Sequence, residues 1–96
     1  MNNDKELVKL NEEVLGDKNP LTYIRTQMFK MNQTHFGAVV GCSSSYISRV
    51  ECLGTHVIGD KLIQGLEGLG YDGKQVNDLY VKYVQKRKAE MIKKIS

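Results

Sequence analysis

The chain is poor in several residue types. Its 96 residues include two cysteines, one proline and no tryptophan, and only 7% are aromatic. Cys42 and Cys52 do not form a Cys-x-x-Cys pair, and two cysteines cannot complete a zinc site unaided. If the stretch between them is mostly helical, the rise per residue holds them about 15 Å apart, too far for a disulfide. Both are read as reduced, small apolar residues. No apolar run reaches the roughly eighteen residues a membrane helix needs. The opening Met-Asn-Asn-Asp-Lys-Glu has neither the basic start nor the apolar stretch of a secretory signal, which places the chain in the cytoplasm. Strand signals, internal repeats and low-complexity segments are missing. The length and an apolar fraction of 41% fit one small domain with a modest core and no large cleft.

Catalytic signatures are also missing. The run Ser43-Ser44-Ser45 has no adjacent base signature and no glycine elbow. His35 has no second group at a spacing that would orient it as a base, so it reads as a surface residue. No phosphate-binding loop and no cluster of metal ligands appears. The chain is therefore read as a non-enzyme with no cofactor and no metal.

What is present begins with charge. The net value is +3, unevenly spread. Residues 1–19 hold three Lys against five Asp/Glu, residues 20–71 four Lys/Arg against three acids, and residues 72–96 seven against three. A basic tail permits nucleic-acid binding without requiring it, since a solvated helix face has the same composition.

Turn residues punctuate six helical segments. The first is expected from about Asp4 to Leu15, with Leu7, Leu10 and Val14 on one face and Gly16 as its stop. The second starts at Asn19-Pro20, with asparagine as cap and proline in the first turn. It carries Leu21, Ile24 and Met28 at helical spacing and closes with Phe29 and Met31. Asn32 caps the third, Gln33 to Val40, and Gly41 supplies a position suited to positive φ. Ser43 caps the fourth, which reads to about Cys52. The fifth spans about Asp60 to Leu69, with Leu62, Ile63, Leu66 and Leu69 as its stripe and Gly70 as its stop. The sixth starts near Asp72, in a loose capping box with Gln75, and runs to about Lys94. Its early face is Val76, Leu79, Tyr80, Tyr83 and Val84. Its late face is Met91, Ile92 and Ile95, beyond Lys86-Arg87-Lys88.

The third and fourth segments are the most informative. Phe36 and Val40 lie four apart, Ile47 and Val50 three apart, and Gly41 stands at the break. Two short helices crossing through a tight turn are predicted, a motif that usually sets its second helix in the major groove of DNA. Residues 21–70 resemble the DNA-binding domain of phage repressor and Cro proteins, the Xre family. The match rests on Gln33 at the start of the second family helix, the apolar–small pair Phe36-Gly37, and Gly41 in the turn. Ile47, Val50 and Glu51 match the third helix, and Leu69-Gly70 closes the fourth. Arg25 stands for the family arginine that pairs with the glutamate, here Glu51, but its interval to Gln33 is one residue long. Gly37 stands where alanine is commoner, which costs about 1 kcal/mol of helix propensity. Cys52-Leu53-Gly54 follows where the family has a polar residue and glycine.

The resemblance implies an all-α fold. It would be a compact five-helix repressor-like helix-turn-helix domain over residues 20–71, with an N-terminal helical extension over 1–19. A long C-terminal helix over 72–96 would serve docking or dimerisation. The implied function is sequence-specific DNA binding by a transcriptional regulator, a repressor, with the helix from about Ser43 to Cys52 in the major groove. Base readout falls to Ser44, Ser45, Tyr46, Ser48 and Arg49, whose side chains offer groups that bond base edges. Phosphate contact falls to Gln33, Thr34, Ser43, Thr55, His56 and Lys61. Arg25, Phe36, Gly37, Gly41, Ile47, Val50 and Glu51 are structural. The implied partner is a double-stranded DNA operator, bound by a homodimer through the C-terminal helix, with Tyr83, Val84, Met91 and Ile95 as candidate dimer residues. Two other readings stay open. One is a protein-binding helix-turn-helix module, antirepressor-like, which the weak charge of residues 20–71 favours. The other is an antitoxin that autoregulates its operon and neutralises a toxin through the terminal segments.

Overall fold

The computed structural model describes residues 6–95, and every regular element among them is a helix. These are α1 (Glu12–Leu15), α2 (Pro20–Tyr23), α3 (Gln33–Val40), α4 (Ser44–Glu51), α5 (Asp60–Gly68) and α6 (Gly73–Ile95). A π-helical turn, Ile24–Met28, continues α2. The apolar sides meet in one core, in which Leu21, Ile24, Phe36, Ile47, Val50, Leu62, Leu66, Val76 and Tyr80 are fully buried. α3 packs on α4 and α5, while α6 packs on α2 and α5. Among the described residues, no helix is long and apolar enough to cross a membrane.

The N-terminal segment departs from the expected helix over Asp4–Leu15, of which Asp4 and Lys5 lie outside the described residues. The Asn11 side chain accepts from the N–H groups of Glu13 and Val14, so α1 begins only at Glu12. Before it, Val8 donates to the Gly70 carbonyl at 2.6 Å and accepts from the Asp72 N–H at 2.8 Å, a parallel bridge to Tyr71. The Gln75 amide then clasps the Leu10 peptide, accepting from its N–H and donating to its carbonyl, each at 2.8 Å. Only half of the expected capping box therefore forms. The Asp72 carboxylate accepts from the Gln75 N–H at 3.1 Å, but the Gln75 side chain is committed to Leu10. Leu10 and Leu15 are buried, whereas Leu7 and Val14 are exposed, so the expected apolar face is not the one used. The segment is less an appended helix than a cover over the start of α6.

Asn19 caps α2 and Pro20 takes the first position, as the sequence suggests. Asn19 is also buried, and its amide donates to the carbonyls of Val50 and Glu51 at 3.3 Å each, tying the start of α2 to the end of α4. Downstream, Thr26 Oγ1 donates back to the Thr22 carbonyl at 2.7 Å, a bond that competes with the helical ladder. There the helix widens, and the Phe29 N–H reaches the Ile24 carbonyl, five residues back, at 3.1 Å. The π turn takes in one residue more than an α turn, and Lys30, at φ 54°, ends it. This π turn lies in the interval between Arg25 and Gln33.

Asn32 caps α3 by accepting from the His35 N–H at 2.8 Å. Gly41 adopts the left-handed conformation, φ 78° and ψ 28°, and the Ser43 hydroxyl then caps α4 by accepting from the Tyr46 N–H at 3.1 Å. Gly37 has a reason beyond propensity. A Cβ there would stand 2.5 Å from the Cys42 carbonyl oxygen, so the turn approaches α3 too closely for alanine.

α6 is anchored by its first half. Val76, Leu79, Tyr80 and Val84 are buried and Tyr83 is half-buried, while every residue from Gln85 to Lys94 is exposed. Val84 is thus used in the chain's own core, which removes it from the expected dimer surface. Met91 is exposed, and the Ile95 side chain lies outside the described residues.

Candidate nucleic-acid interface

With Ile47 and Val50 fully buried, α4 turns its opposite face to solvent. Ser44, Ser45, Arg49 and Cys52 are exposed there, and Ser48 is half-buried. Arg49 pairs with no carboxylate among the described residues. Its aliphatic stem runs so close to Gly54 that a Cβ on that glycine would meet Arg49 Cγ at 2.5 Å.

The end of α4 is held by the expected ion pair. Arg25 Nε and Nη2 donate to the two Glu51 carboxylate oxygens at 2.6 and 2.9 Å, a bidentate fork. Arg25 Nη1 donates to the Met31 carbonyl at 2.9 Å. The side chains are only 15% and 7% exposed. The hydrogen bonds to Glu51 raise the Arg25 pKa further above its usual value, against the opposing effect of burial. Gln33 joins them, its amide donating to Glu51 Oε1 at 3.3 Å.

The proposed contact residues therefore divide. Ser44, Ser45 and Arg49 stand free, with Ser48 behind them. Tyr46 does not belong with them. It is half-buried, and its hydroxyl accepts from the Gly59 N–H at 2.8 Å, fastening the α4–α5 loop to α4. Of the phosphate candidates, Gln33 is engaged by Glu51, and Ser43 by its own helix start. The Thr55 hydroxyl bonds Tyr80 Oη at 3.1 Å, which also donates to the Val50 carbonyl at 2.8 Å. Thr55 is thus a loop anchor. Thr34 is exposed in the first turn of α3, and Lys61 is exposed in the first turn of α5. Lys61 and Ser43 line one open cavity of about 430 Å³ with Cys42, Tyr46 and Leu62. His56 is exposed and meets Lys88, a neighbour 32 positions away that no local pattern signals.

The cysteines are free, Cys42 half-buried and Cys52 exposed. Burial pushes the Cys42 thiol pKa up, against a smaller opposing pull from the Lys61 charge. Among the described residues, no group of three or more His, Cys, Asp or Glu could hold a metal ion. Comparison of the chain with protein-family models, with curated proteins and with solved structures finds no match.

Proposed function

We propose that this chain is a sequence-specific DNA-binding regulator of the phage repressor and Cro type, acting as a repressor, with α4 in the major groove. The observation that carries the reading is the free face of α4. It offers two serine hydroxyls in the first turn and, one turn later, the Arg49 guanidinium, which pairs with no carboxylate among the described residues; such groups bond base edges. Groups suited to phosphate flank both ends. Ser43 and Lys61 stand at its start, and at its end Glu51 meets Gln33, the residue before the exposed Thr34. Eight residues of helix separate those ends by about 12 Å, close to the width of the major groove. The reading surface narrows to Ser44, Ser45, Ser48 and Arg49, with Tyr46 as a positioning residue. In this reading α2, the π turn, α3, α4 and α5 form the helix-turn-helix domain over residues 20–71, and α6 is the C-terminal helix. One such helix covers few base pairs, so a homodimer on a palindromic operator supplies the affinity.

Ser44→Ala and Ser45→Ala should each reduce discrimination between operator and mismatched DNA by roughly 1–3 kcal/mol for every base edge no longer bonded. Gel-shift titrations read this directly, and unchanged discrimination in both variants would sink the assignment of α4. A second reading, a protein-binding module of the same fold, is favoured by the four cations against three acids in residues 20–71. Salt separates the two, because DNA binding weakens steeply through counterion release.

A further inference from the structure

The second half of α6 takes no part in the core. Its ten residues from Gln85 to Lys94 are all exposed, and they carry five cations against one carboxylate, Glu90. Lys86 is matched by Asp17, and Arg87 lies 3.7 Å from Glu90. Lys88 and Lys94 meet no carboxylate among the described residues.

Lys88 shows what it lacks. Its ammonium lies 2.7 Å from His56 Nδ1. An ammonium has three donors and no acceptor, so Nδ1 accepts and the imidazole carries its proton on Nε2. A neutral ring nitrogen is a poor substitute for an anion, because bonds from an ammonium to a charged oxygen are shorter and stronger. Lys88 and the His56 Nε2–H thus form a pair of donors spanning the α4–α5 loop and α6. His56 lies in the α4–α5 loop, four positions beyond Cys52, the C-cap of α4.

We propose that the projecting half of α6 is a second nucleic-acid contact, entered at His56 and Lys88, that grips phosphates flanking the site read by α4. The inference rests on the DNA-binding reading above and extends it. Charge selects the occupant. A second copy of α6 laid alongside would set each group of cations against its duplicate, so the dimer partner expected on this helix is the poorer fit. Duplex DNA offers one negative charge per about 1.7 Å of its axis, and the exposed stretch of helix is about 15 Å long.

The test is fluorescence anisotropy of the full chain on a mixed-sequence duplex over a salt series, wild type against the triple variant Arg87→Gln, Lys88→Gln, Lys94→Gln. Glutamine keeps helix propensity close to that of lysine and arginine, and circular dichroism checks that α6 persists. The log–log salt slope should become shallower by about 0.9 for each phosphate the variant no longer neutralises, with weaker binding at low salt. Ser44→Ala with Ser45→Ala should leave that slope unchanged. An unchanged slope in a triple variant that binds as the wild type does overturns this inference alone, and leaves an acidic protein as the better occupant of α6. A wild-type chain that binds no duplex at low salt overturns both this inference and the functional reading.

Discussion

Glu51→Ala should destabilise the full chain by about 3 kcal/mol, the low end of the cost of breaking a buried pair. The change leaves the Arg25 guanidinium, 15% exposed, with the Met31 carbonyl as its remaining partner. It also frees the Gln33 amide, which donates to the same carboxylate. For a chain of this size each kcal/mol moves the melting temperature by roughly 4–8 °C, so a fall of about 12 °C or more is expected by calorimetry. Replacing both partners with apolar residues, Arg25→Met with Glu51→Leu, should recover most of the stability, since no charge is then stranded. A single variant that melts within a degree or two of wild type would show that the fork does not hold the end of α4.

Gly65→Ala and Gly68→Ala should have opposite signs, although they sit three residues apart in α5. A Cβ on Gly65 would collide with the Val40 carbonyl oxygen and lie 2.7 Å from Val40 Cβ and 2.9 Å from its Cα. Backbone cannot rotate away as a side chain can, so α3 and α5 must separate, at a cost of about 3 kcal/mol, the upper end for overpacking. A Cβ on Gly68 meets nothing within 4 Å. There alanine should stabilise by about 0.5–1 kcal/mol through helix propensity and a less flexible unfolded chain. Urea midpoints read both changes. Equal shifts of the same sign would contradict the close crossing of α3 on α5.

What could be read in the sequence follows the range of the forces involved. Asn19, Asn32 and Ser43 act on N–H groups two or three residues away, and Gly41 acts on its own dihedrals, so their roles were visible locally. The same is true of the apolar spacing of Phe36, Val40, Ile47 and Val50, all of which are buried. Among the described residues the Asp4–Leu15 expectation holds only for its last turn, Glu12–Leu15, and its Gly16 stop; an isolated short helix is marginal in water, and backbone groups at Gly70 and Asp72 pair with Val8 instead. The partners of Tyr46 and Thr55 were not legible for a related reason. A hydroxyl suits a base edge or a phosphate, but it equally suits Gly59 or Tyr80, and sequence does not say which neighbour arrives. The π turn at Ile24–Met28 had no signal in the sequence, since the Thr26 bond to the Thr22 carbonyl beside it exists only within the folded helix.

If α4 reads DNA sequence as part of a symmetric pair, the full chain should select a palindrome from a random pool of duplexes, with half-sites about one helical turn, roughly 34 Å, or a multiple of it apart. Recovery of sequences with no shared motif, or of no bound DNA at low salt, would rule out that reading.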